Sequence, residues 1–188
     1  MSEPIIHDWP LPYLTELDER PLDAIDLVVI HCTELPDLAM ARRWGERALY
    51  TNGTGNSGHY YIDRGGAIYG FVPEHRIANH TRGFNPRSIG IELINTGRYP
   101  DWLDSRHQAM TEPYPAAQID SLRELLAHLH RAIPTTALIA GHEDLDTEQV
   151  AASDDATLRV ARKRDPGPLF PWPAVLAGSP WQRLHPAG

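Results

Sequence analysis

A chain of 188 residues that is 41% hydrophobic and 22% charged is long enough for one domain with a sizeable core, and its composition is that of an ordinary soluble protein. The formal net charge of -8 argues against nucleic acid as the main partner, because phosphate recognition asks for a basic face. The single cysteine, Cys32, excludes an intrachain disulfide; no apolar run of membrane length and no basic-then-apolar leader is visible, so the expected location is the cytoplasm.

Residues 1–24 are rich in proline and are expected to be irregular, wrapping a domain over 25–178, with 179–188 as a tail. Residues 25–30 form a nearly continuous apolar run, the pattern of a strand buried on both faces, and His31 stands at its end. Residues 38–50 read as a helix with Asp37 as its N-cap. A Gly/Asn/Ser/Thr loop over 51–57 follows. Two short strands come next, 59–63 and 67–72, joined by Arg64-Gly65-Gly66 in a tight hairpin. Residues 77–87 are polar and rich in turns. Over 88–94 the side chains alternate, with Ile89, Ile91 and Leu93 on one face and Gly90, Glu92 and Ile94 on the other. Residues 95–115 read as a long loop carrying Trp102. Ala116–Ala132 is the clearest helix: Ile119, Leu122, Leu125, Leu126, Leu129 and Ile133 make one apolar stripe, and Pro134 ends it. A last short strand over 137–140 leads to Gly141-His142. Residues 150–160 read as a loop, and Trp172–Leu176 as a short helix.

Chemistry is concentrated in three separated stretches. His31 and His142 each follow an apolar run, and strand ends open onto the working edge of a sheet. The segment Arg162-Lys163-Arg164-Asp165-Pro166-Gly167-Pro168 adds a carboxylate on a backbone that the next proline biases toward extended geometry. Two imidazoles and one carboxylate can hold a divalent metal with a position left open for water, which points to a metal-dependent hydrolase. Each residue also has a plainer reading: a lone histidine is commonly a satisfied polar residue, and Asp-Pro-Gly is a common turn. Glu92 is either a general base in a pocket, its pKa raised by burial, or a core glutamate paired with an arginine such as Arg87. Lys163 lies on the same side of an extended backbone as Asp165; it either reaches an oxyanion or belongs to a solvated basic run. Cys32, facing away from His31, reads as a small buried apolar residue, and His59 and His80 are candidates for pocket lining.

Six pieces in order carry a resemblance. They are Leu27-Val28-Val29-Ile30-His31, Gly58-His59-Tyr60-Tyr61-Ile62-Asp63-Arg64-Gly65-Gly66, Asn79-His80, Ser88-Ile89-Gly90-Ile91-Glu92-Leu93, Gly141-His142, and the run from Lys163 to Trp172. On these the chain resembles the zinc-dependent N-acetylmuramoyl-L-alanine amidases, the family that includes phage amidase-type lysozymes and peptidoglycan recognition proteins. It is most similar to the AmpD-type branch, which cleaves 1,6-anhydro-muropeptides in the cytoplasm during cell-wall recycling. Asp165 stands where the phage type has cysteine. The resemblance implies a single α/β domain with a central mixed sheet flanked by helices. It implies one zinc ion on His31, His142 and Asp165, with Glu92 and Lys163 as the catalytic pair. His59, Tyr60, Asn79 and His80 become candidate contacts to a muropeptide substrate, and a monomer is expected. The chain departs from the family at Asn79, where a tryptophan is usual, and at Gly58, where the phage type has tyrosine. Rival readings are an exported wall-lytic amidase or antibacterial effector, and a peptidoglycan-binding module without activity.

Overall fold

The structure, a computed structural model, describes residues 3–184; Met1, Ser2 and the last four residues of the expected tail lie outside the described residues. Along the chain the strands of the main sheet are β1 (Ile6–Asp8), β2 (Leu27–Cys32), β3 (Tyr60–Ile62), β4 (Ile68–Gly70), β5 (Ser88–Leu93), β6 (Leu138–Gly141) and, after a separate hairpin of β7 (Gln149–Ala151) and β8 (Arg159–Ala161), β9 (Gln182–Arg183). Their order across the sheet is β1-β4-β3-β5-β2-β6-β9. The β3–β4 hairpin is antiparallel, and the other pairs of this sheet are parallel. The fold is therefore a central mixed sheet flanked by helices.

β2 is apolar on both sides because both faces of the sheet are covered. On one face Val28, Ile30, Ile89, Ile91 and Leu93 meet α2 (Ala116–Ala132), whose stripe Ile119, Leu122, Leu125, Leu126 and Leu129 is buried. Burying each such side chain contributes roughly 1.5–3 kcal/mol. A shorter helix, Trp172–Leu176, adds Trp172 and Val175 to the same cluster. Gly66, at φ 89°, turns the β3–β4 hairpin where a Cβ would lie 2.8 Å from the Ala117 carbonyl oxygen of α2, so only glycine fits. On the opposite face the N-terminal segment and α1 (Leu38–Gly45) close a second cluster through Leu11, Tyr13, Leu17, Leu35, Ala41 and Phe71.

Several elements differ from the sequence reading. The N-terminal segment is not merely a wrapping: it supplies the edge strand β1 and three buried hydrophobic side chains, Leu11, Tyr13 and Leu17. α1 begins as expected, with the Asp37 carboxylate accepting from the Met40 amide at 2.7 Å, but ends at Gly45 and not near 50. The Tyr13 hydroxyl donates to the Gly45 carbonyl there, and a lone glycine offers the next turn nothing to bury. Residues 150–160 form the β7–β8 hairpin in place of a loop. Within the tail, Gln182 and Arg183 add β9 to the sheet edge.

Candidate metal centre and active site

β2, β5 and β6 run parallel, so their C-terminal ends open on one edge of the sheet. His31 pairs with Glu92, and Glu92 pairs with Tyr61 on its other side. In-register neighbours project to the same face, so imidazole, carboxyl and phenol stand in a row. Ile30 pairs with Gly141, which brings His142 level with His31 at the start of α3 (His142–Leu145). The segment after β8 returns to this edge and delivers Lys163 and Asp165.

Asp165 Oδ2 lies 2.9 Å from His31 Nδ1 and 3.2 Å from His142 Nδ1. One ligand atom from each of these three buried residues lies within 4.8 Å of the others. Among the described residues, His142 Nε2 and Asp165 Oδ1 are buried without a hydrogen-bond partner. An orphaned carboxylate oxygen of this kind is costly unless a ligand takes it. Burial lowers the His31 imidazole to about 4, against the pull of Asp165. Burial acts on Asp165 toward the neutral acid, but the two imidazoles outweigh it and hold the carboxyl well below the usual range. A neutral His31 beside an ionised Asp165 is what a metal cation requires of these two groups.

Glu92 Oε1 is 4.0 Å from His31 Nδ1. Burial raises its carboxyl to about 8, Asp165 adds to the rise, and Lys163 opposes it. The alternative partner, Arg87, instead donates to Asp26 at 2.6 Å. Lys163 lines the same cavity, a groove of about 760 Å³ that also exposes Trp44, Tyr50, Trp102, Arg82 and Arg162. A Cβ at position 58 would lie 2.8 Å from Glu92 Cγ, so the glycine there leaves the space that the Glu92 side chain fills.

The four candidate substrate contacts divide. Asn79 lines the cavity, with its Nδ2 donating to the Gly55 carbonyl at 3.1 Å and to Thr54 Oγ1 at 3.3 Å. His80 also lines it, but its ring nitrogens face other side chains of the protein: His31, Thr81 and Ser88. His59 and Tyr60 do not reach the groove. His59 is fully buried behind His80, where Gly90 N–H donates to its Nδ1 at 3.0 Å and its Nε2 sits by the Arg76 carbonyl at 3.1 Å. Tyr60 faces the α2 side of the sheet, because strand alternation sends Tyr61 to the groove and its neighbour to the core. The sequence does not separate the two tyrosines; the register of β3 with β5, which sets Tyr61 beside Glu92, does.

Sequence reasoning also missed a buried ion pair beneath the site. Arg98 donates to Glu34 through Nε at 2.7 Å and Nη2 at 2.9 Å. The same guanidinium holds the carbonyls of Ala161 and Arg162, immediately before Lys163. Nothing in an unpaired Arg within a long loop signals such a clamp.

The family model of N-acetylmuramoyl-L-alanine amidases matches residues 21–168. The chain belongs to this amidase family. A segment of 113 residues is 36% identical to the N-acetylmuramoyl-L-alanine amidase AmiD of Escherichia coli strain K12, covering 56% of this chain and 35% of that protein. The chain thus matches about a third of the length of that curated relative. Among solved structures, AmiD from E. coli in complex with anhydro-N-acetylmuramic acid-L-Ala-D-gamma-Glu-L-Lys superposes with a TM-score of 0.59 at 25% identity, over 82% of this chain and 57% of that one. An AmpD structure superposes with a TM-score of 0.63 at 25% identity, over 92% and 93% of the two chains. The endolysin LysCS of Clostridium intestinale URNW shares the fold, with a TM-score of 0.67 at 20% identity over 94% of this chain and 95% of that one.

Proposed function

We propose that this chain hydrolyses the amide between N-acetylmuramic acid and L-alanine of a peptidoglycan stem peptide, using one zinc ion held by His31, His142 and Asp165. The observation that carries the reading is the convergence of two imidazole Nδ1 atoms on one carboxylate oxygen in a substrate-sized groove. The donor set fits the ion: two nitrogens and one oxygen suit zinc, the carboxylate is ionised, and Asp165 Oδ1 has no partner among the described residues. When bound, zinc supplies a Lewis acid and lowers the pKa of water. Glu92, 4.0 Å from His31 Nδ1, takes the proton from the attacking water and returns it to the leaving amine. The raised pKa suits the return of the proton to the amine, and the ionised form needed to take it from water is favoured by Lys163. Lys163 holds the oxyanion of the tetrahedral intermediate with its ammonium. Asn79, with its amide nitrogen tied to Gly55, offers its carboxamide oxygen to the substrate.

The soluble 1,6-anhydro-muropeptide is the proposed substrate, in a recycling role and in the cytoplasm. It is the ligand named in the complex of the AmiD relative, and Asp165 in the third ligand position matches the AmpD-type branch. Among the described residues, no helix is long and apolar enough to cross a membrane. The chain acts as a monomer in this reading, with no nucleic-acid partner.

The test is metal analysis of the purified protein with a muropeptide digest read by mass. Release of the stem peptide that stops on chelation and returns with zinc is expected; cleavage unaffected by chelation overturns the metal role. Intact sacculi cut faster than soluble anhydro-muropeptide would replace recycling with wall lysis, and cell fractionation reads the compartment.

A further inference from the structure

We infer that His80 is a positioning residue: through a string of hydrogen bonds that starts at a backbone carbonyl, it fixes which nitrogen of His31 is free to bind a metal. The inference rests on the proposed metal site and adds a residue that does not touch the ion.

The string can be read donor by donor. Ser88 Oγ donates to the Phe84 carbonyl at 2.8 Å, which uses its only proton. Its lone pair therefore faces His80 Nε2, 3.2 Å away, and that nitrogen must carry the hydrogen. A neutral imidazole protonated on Nε2 has a bare Nδ1. His80 Nδ1 is 3.0 Å from His31 Nε2, so it accepts from His31 Nε2–H. The remaining nitrogen, His31 Nδ1, then carries the lone pair; it faces Asp165 Oδ2 at 2.9 Å, acceptor toward acceptor, an arrangement that only a shared cation satisfies.

The His80 ring is held from three directions. Its backbone N–H donates to Asn85 Oδ1 at 3.1 Å. Its flat side lies over Gly90, where a Cβ would come within 2.6 Å of the ring. The His31 ring meets it edge to face, with centroids 5.2 Å apart. His142 is not held in this way, since its Nε2 is without a partner among the described residues. The two histidines are thus unequal: one has its tautomer set in advance and the other does not. An outer partner of this kind raises ligand basicity, and its loss typically costs 10–100-fold in metal affinity.

Thr81 Oγ1, 3.3 Å from His31 Nε2 and 3.0 Å from His80 Nδ1, is the competing partner. The experiment separates them by zinc affinity from chelator competition, with thermal melts of the metal-free proteins as the folding control. His80→Leu should bind zinc roughly 10–100-fold more weakly than wild type. His80→Asn, whose carboxamide oxygen replaces Nδ1, should recover most of that loss, and Thr81→Val should stay near wild type. Wild-type affinity in His80→Leu, or a loss in Thr81→Val alone, overturns the inference. Imidazole nitrogen NMR of the zinc-loaded wild type gives an answer without any variant: His80 protonated on Nε2 supports the string, and His80 protonated on Nδ1 breaks it. A wild-type protein that binds no zinc at all would instead remove the metal site on which the inference stands.

Discussion

At position 58 a hydrogen atom stands where any other residue has a side chain, and Glu92 uses the space. A methyl there would press on Glu92 Cγ at 2.8 Å and on the Gly90 carbonyl oxygen at 3.1 Å. Gly58→Ala should therefore shift the proposed general base while leaving the three ligands alone. Turnover at saturating substrate is expected to fall by roughly 10–10²-fold, the scale of a misplaced reacting group, with metal content unchanged. The site residues themselves separate by the same pair of measurements. Asp165→Ala should lose zinc and activity together. Glu92→Gln should keep its zinc and lose roughly 10²–10⁴-fold in turnover. A Glu92→Gln enzyme as fast as wild type would reduce Glu92 to a structural role. At this scale the ligand candidates were legible because the sequence places each histidine directly after an apolar run. His59 was mistaken for pocket lining because a sequence does not show which histidines lie one layer behind the surface.

Among the elements, the return of the chain from β8 to the site depends on a bond that crosses three segments. Arg98, from the loop after β5, grips Glu34, from the loop after β2, and the carbonyl of Ala161 at the end of β8. Both side chains are buried, so removing one leaves the other as an uncompensated charge. Arg98→Met should lower stability by roughly 3–5 kcal/mol in urea unfolding. Adding Glu34→Gln should restore part of it, and additive losses from the two changes would show that the pair does not act as a unit. The strands and helices that carry a pattern over enough residues, β2, α2 and the helix at Trp172–Leu176, were readable. The β7–β8 hairpin and β1 were not: β3 and β4 are as short, but an apolar run and the Gly65-Gly66 turn marked them, and β1, β7 and β8 carry no such signal.

The molecule as a whole carries a string of buried imidazoles, and this sets its response to acid. His59 accepts the Gly90 N–H on Nδ1, so a second ring proton would set donor against donor. Burial first, and Arg20 beside it, lower its pKa from 6.5 to about 3. The unfolded chain therefore binds a proton that the folded chain refuses between these two values. The contribution of His59 to stability is complete above about pH 6.5 and is shed as the pH falls toward 3. Glu143, raised to about 7 by burial and Asp144, works in the opposite direction, so the difference between two proteins isolates His59. Urea midpoints from pH 7 to 4 should fall more steeply for wild type than for His59→Asn, and parallel curves would count against a neutral buried His59.

By itself the sequence determined the strand ends that offer His31 and His142, the carboxylates at Glu92 and Asp165, and through six ordered pieces the amidase fold. Those are local facts: periodicity, apolar runs and motif order survive in one dimension. Only the tertiary structure decided that Tyr61 and not Tyr60 faces the groove, that His80 turns its ring to His31, and that Arg98 holds the segment leading to Asp165. Each of these depends on which face a side chain takes and on what comes within about 3 Å of it. Strand register and chain return fix those distances between residues about 30 to 60 positions apart, a separation at which sequence spacing says nothing about contact.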